Sequence, residues 1–69
     1  MLFKLREEDE FIKLGQLLKA CNLVSSGVEA KMYINDGLVK VNDNVCSMRG
    51  KKIYRGDIVY FNKEKVEVV

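Results

Sequence analysis

A chain of 69 residues, 48% of them apolar, with 12 basic against 10 acidic side chains and a net charge of +2, has room for one domain. A domain of this size buries only about 60% of the surface its unfolded chain exposes, so its core is thin. No run of about 18 apolar residues exists to form a membrane span, and with no histidine the usual neutral-pH general base is missing.

The opening decapeptide carries Glu7, Glu8, Asp9 and Glu10 where a signal peptide needs an apolar stretch, which predicts a mature, cytoplasmic chain. Cys21 and Cys46 are too few for a disulfide framework or a zinc site, which needs about four ligands. They are expected as small, free, buried side chains in a reducing compartment.

In chain order, Leu2 to Leu5 suggests a short strand and Glu7 to Glu10 an acidic turn, which would also suit the positive end of a following helix. Leu14, Leu17, Leu18 and Cys21 recur at i, i+3, i+4 and i+7, the apolar stripe of a helix that ends near Asn22; Lys13, Gln16 and Lys19 lie off that stripe. Ser26 and Glu29 form a capping box, in which the Ser26 hydroxyl takes the Glu29 N–H and the Glu29 carboxylate returns to the Ser26 N–H. A second helix follows, with Ala30, Tyr33 and Ile34 on one face and Gly37 at its left-handed end. Leu38 to Val41 alternates as a strand, Asn42-Asp43-Asn44 is a turn and Val45-Cys46 returns as a short strand. Ser47 to Gly56 reads as a loop with two glycines and four bases, Asp57 to Phe61 as a strand, Asn62 to Lys65 as a polar turn and Val66 to Val69 as a last strand. The order predicts an α+β domain, two helices packed on a small, mostly antiparallel sheet.

Charge is distributed unevenly. Residues 1–10 carry a net −2 and residues 57–69 a net −1, whereas residues 11–56 carry +5, from Lys13, Lys19, Lys31, Lys40, Arg49, Lys51, Lys52 and Arg55 against Glu29, Asp36 and Asp43. A basic middle suits a polyanion, because neutralising phosphates releases counterions.

Four stretches together resemble the S4 domain. Lys13 to Leu18 is similar to its R-L-D-x-x-L opening, Ser26 to Lys31 to its S-R-x-x-A-K helix start, Ile34 to Asn42 to its I-x-x-G-x-V-x-V-N-G segment, and Gly56-Asp57-Ile58 to its closing G-D-x-I. They fall in register over residues 13–58, the core of a single domain covering 1–69. Within the family the chain is most similar to the short stand-alone bacterial proteins of the YaaA/YbcJ type. Three positions depart from the pattern: Gly15 replaces the family Asp, Gly27 replaces the Arg after the capping Ser, and Lys13 replaces an Arg and so lacks the planar fork.

The resemblance implies a module that recognises structured RNA, ribosomal RNA or a ribosome-assembly intermediate, through a face made by the helix pair and the following hairpin. The candidate contacts are Lys13, Ser26, Gly27, Lys31, Lys40, Asn42, Arg49, Lys51 and Lys52. The residues lend some of these independent support. The start of the second helix offers free amides and a positive dipole end, Gly27 leaves room for a phosphate there, and Lys31 lies one turn on. Arg49, Lys51 and Lys52 sit on a glycine-containing loop, and Lys40 projects opposite Val39 and Val41. No cofactor, metal, membrane or small-molecule substrate is expected; a ribosomal or protein partner is. No Ser or Cys has a base partner suggested by spacing, so no enzyme is predicted. The competing reading is a protein adaptor that docks a partner along Val66 to Val69 as an exposed sheet edge. A third reading has the helix pair binding duplex DNA.

Overall fold

The computed structural model describes Met1–Val69 as nine short elements around one apolar core. In chain order these are β1 (Leu2–Phe3), β2 (Phe11–Lys13), α1 (Leu14–Ala20), α2 (Gly27–Asn35), β3 (Val39–Val41), β4 (Asn44–Val45), β5 (Lys52–Tyr54), β6 (Ile58–Phe61) and β7 (Glu64–Val68). The five-stranded sheet runs β1-β7-β6-β3-β4, and β2 pairs with β5 in a separate two-stranded ribbon. All pairings are antiparallel except β1 with β7. This is the expected α+β arrangement.

Local chemistry accounts for most of the element ends. Ser26 caps α2, its Oγ accepting from the Glu29 N–H at 3.2 Å. At the far end Gly37 adopts φ +76°, the Leu38 N–H donates to the Tyr33 carbonyl and the Gly37 N–H to the Ile34 carbonyl, each at 3.1 Å. That pair of bonds is a Schellman stop. The β3–β4 and β6–β7 hairpins turn through two residues each, Asn42-Asp43 and Asn62-Lys63, all with positive φ. Left-handed geometry at both turn positions matches the twist of the flanking strands.

The core is wholly apolar. Leu14, Leu17 and Leu18 of α1 and Ala30 and Ile34 of α2 pack over Val39, Val41, Val59, Phe61, Val66 and Val68 of the sheet and Ile53 of the ribbon. No buried polar side-chain atom lacks a partner. Tyr33 lies half-buried against Phe61, the ring centroids 5.1 Å apart.

Four expectations need correction. Ser47 to Gly56 is not a continuous loop, since Lys52–Tyr54 is strand β5, paired residue by residue with Phe11–Lys13. The acidic turn therefore leads into strand β2, and α1 starts only after it. The Glu29 carboxylate accepts from the N–H and the hydroxyl of Ser25, both at 3.1 Å, one residue earlier than a reciprocal box requires. Finally, Val66 to Val69 is not an exposed edge. Strand β7 lies between β1 and β6, Val66 and Val68 are fully buried, and the edges are the two-residue strands β1 and β4. The adaptor reading loses the strand it depended on.

The ribbon is held to the core by one fully buried side chain, Ile53. Truncating it, Ile53→Ala, is expected to cost about 2–5 kcal/mol in urea unfolding. A loss well below about 1 kcal/mol would show that β5 contributes little to the core.

Candidate nucleic-acid interface

Leu14 and Gly15, at the start of α1, are buried, and their amides have no acceptor within the helix. The basic loop supplies both acceptors: the Leu14 N–H donates to the Lys51 carbonyl at 2.9 Å and the Gly15 N–H to the Arg49 carbonyl at 3.1 Å. The loop's carbonyls thus face the helix and its charged side chains are left in solvent. The stem of Arg49 lies directly across Gly15. A Cβ at position 15 would come within 2.8 Å of Arg49 Cγ. Glycine in place of the family Asp therefore makes room for this arginine.

The result is a cleft of about 350 Å³ lined by Lys13, Gly15, Gln16, Lys19, Gly27, Arg49 and Gly50, with no apolar side chain. Three cations and three glycines from the end of β2, α1, the start of α2 and the loop converge on it. Gly27 is its α2 wall; of the first α2 amides, Glu29 donates to Ser26 Oγ and Ala30 to the Ser26 carbonyl. The Glu29 carboxylate is turned to Ser25, and neither Ser25, Ser26 nor Glu29 lines the cleft. A cleft walled by Lys13, Lys19 and Arg49 with no apolar side chain is of the polarity that an anion needs.

The other candidates are distributed around this cleft. Lys51, Lys52 and Asn42 line a second cleft of about 530 Å³, with Met48 and Tyr54 on its wall. Lys31 is exposed on α2, one turn beyond Gly27. Lys40 stands on the outer face of the sheet beside Tyr60 and lines neither cleft. Asn42 is committed within the protein: its Nδ2 donates to Asp57 Oδ1 and its Oδ1 accepts from the Ile58 N–H, both at 2.9 Å.

The one ion pair in the structure joins Arg6 and Asp9, at 4.0 Å. Lys13, Lys19, Lys31, Arg49, Lys51 and Lys52 have no carboxylate partner and are available to an external anion. Arg55 is not. Its guanidinium donates to the carbonyls of Arg6 at 2.8 Å and Asp9 at 3.0 Å, clasping the N-terminal turn. Sequence spacing places Lys19 and Gln16 off the apolar stripe of α1 but does not single them out as site residues; their place three and six residues after Lys13 is the signal that marks them. Both cysteines are free and half-buried. Burial pushes the Cys21 thiol up, which keeps it from acting as a thiolate nucleophile near neutral pH.

A helix pair packed on a mostly antiparallel sheet, with a polar cleft walled by three cations at the junction, is a small α+β module. Residues 3–69 match the family model described as the S4 domain, and the chain belongs to that family. It is 42% identical over 52 residues to the probable ribosome maturation protein RlbA of Bacillus subtilis, covering 75% of this chain and 73% of that protein. It is also similar to the solution structure of YbcJ from E. coli, described as revealing an αL motif involved in RNA-binding. The match has a TM-score of 0.73 and 35% identity, covering 99% of this chain and 85% of that one.

Position 27 tests the cleft directly. A Cβ there meets nothing within 4 Å, so Gly27→Arg places a guanidinium in open space at the α2 wall. Affinity for an RNA hairpin should rise, and the log–log salt slope should steepen by about 0.7–0.9 for the added phosphate contact. An unchanged slope would place the RNA elsewhere.

Proposed function

We propose that this protein is a non-catalytic module that binds structured RNA, ribosomal RNA or a ribosome-assembly intermediate, in the cytoplasm. The observation that carries the reading is the cleft at the helix junction, where Lys13, Lys19 and Arg49 stand without carboxylate partners beside Gly27 at the start of α2. The name of the Bacillus subtilis relative supports a role in ribosome maturation, and the description of the E. coli structure supports RNA as the ligand. No helix here is long and apolar enough to cross a membrane.

The cations hold the RNA by its backbone. Lysine supplies point charge, and Arg49 can fork onto a phosphate or lie on an exposed base. Such contacts position a folded RNA and read its shape; they carry little sequence information. The duplex-DNA reading is poorly served by α1. That helix has seven residues, and its first turn is held against the basic loop, so a groove-binding mode would rest on α2 alone.

Six phosphate contacts, from Lys13, Lys19, Lys31, Arg49, Lys51 and Lys52, would produce a log–log salt slope of about −4 to −5 for an RNA hairpin. Reversing the charges of the loop and the start of β5 with Arg49→Glu, Lys51→Glu and Lys52→Glu together should abolish binding at moderate salt while the circular dichroism spectrum is retained. A wild-type slope near zero, or full affinity in the folded triple variant, would overturn the proposal.

A further inference from the structure

The ribbon β2–β5 has two unlike faces. Ile12 and Ile53 form one cross-strand pair and face the core. The flanking pairs, Phe11 with Tyr54 and Lys13 with Lys52, point the other way, because side chains alternate along a strand. Two aromatic rings and two lysines therefore share one small outward surface. We propose that this surface is a stacking platform for an unpaired base of the bound RNA, with Tyr54 taking the base and Lys13 and Lys52 holding its phosphate. The proposal rests on the RNA-binding reading above and adds to it a preference for single-stranded segments.

Three observations carry it. First, Lys13 and Lys52 are directly opposite one another with no carboxylate within 4.0 Å. Like charges in that relation destabilise a strand pair, and a phosphate between them would remove the repulsion. Second, the two rings differ in availability. Phe11 is half-buried and already has the Lys52 ammonium 5.0 Å from its centroid. Tyr54 is 46% exposed and leans on Phe11 at 5.9 Å and 53°, so Phe11 buttresses the ring and Tyr54 keeps a free face. Third, the platform is rigid and continuous with the cationic cleft. The Tyr54 N–H is fixed by Asp57 Oδ2 at 2.8 Å, and Asp57 Oδ1 in turn accepts from Asn42 Nδ2. Lys13 also lines the cleft at the helix junction. Same-face neighbours along a strand are about 7 Å apart, which suits a base on the aromatic pair and its own phosphate on the lysine pair. Aromatic platforms flanked by cations bind unpaired bases of any sequence, since every base has a π-face.

The test compares two probes with equal numbers of phosphates, an RNA hairpin carrying 2-aminopurine in its loop and a blunt, fully paired RNA duplex. Wild-type protein should quench the 2-aminopurine and bind the hairpin more tightly than the duplex. Tyr54→Ala should reduce that preference by about 5- to 100-fold, the range expected for one base–aromatic stack, and should abolish the quenching with the salt slope unchanged. Tyr54→Phe should keep both. Equal binding of the two RNAs without quenching, or a preference that survives in Tyr54→Ala, would overturn the platform while leaving RNA binding intact. Failure of the wild-type protein to bind either RNA would overturn the underlying reading as well.

Discussion

Leu14 and Gly15 begin α1 inside the core, where an amide left without an acceptor costs about 1–3 kcal/mol. No side chain caps them. The carbonyls of Lys51 and Arg49, far along the chain, accept instead, and this pair of bonds organises the molecule. It brings the basic loop against the helix pair, sets β5 beside β2, and orients the loop so that its main chain faces inward and its charges outward. The cationic cleft is thus a by-product of satisfying a buried helix end. A cationic cleft and a helix cap are built from the same few residues.

The glycines at 15 and 27 acquire a shared meaning in that frame. At position 15 the missing side chain is replaced by the stem of Arg49, which occupies the space a Cβ would need. At position 27 it is replaced by nothing, and the space a Cβ would point into stays open. Where the S4 pattern has an arginine at the start of α2 this chain has Gly27, and Arg49 of the loop lines the junction. A cation is still delivered to the junction, now from an element held by backbone hydrogen bonds.

What was legible in the sequence was local. Ser26 and Gly37 mark the two ends of α2 through contacts within a few residues, and Asn42-Asp43 announces its hairpin in the same way. The ribbon was not legible, because β2 and β5 are three residues each and each finds its partner only through the other. The interior position of β7 was hidden for the same reason: two valines on one face suggest a strand but not its neighbours. Of the site, the cations were readable as residue types. Their grouping was not, because it depends on the loop folding back onto α1, and that leaves Asn42 with a structural task and Lys40 on another face.

The parallel pairing of β1 with β7 bears on the order of folding. Leu2 and Phe3 register with Glu67 and Val68, and the Val69 N–H returns to the Phe3 carbonyl at 2.8 Å. These contacts join nearly the most distant residues in the chain, and contacts of that span are slow to form because a large loop must close before they repay its entropy. During synthesis β1 waits, unpaired, until β7 has been made. Unpaired apolar strands are the usual route to misassembly. A waiting strand of only two residues offers little to pair with, so the brevity of β1 protects the nascent chain through the interval in which its sheet is incomplete.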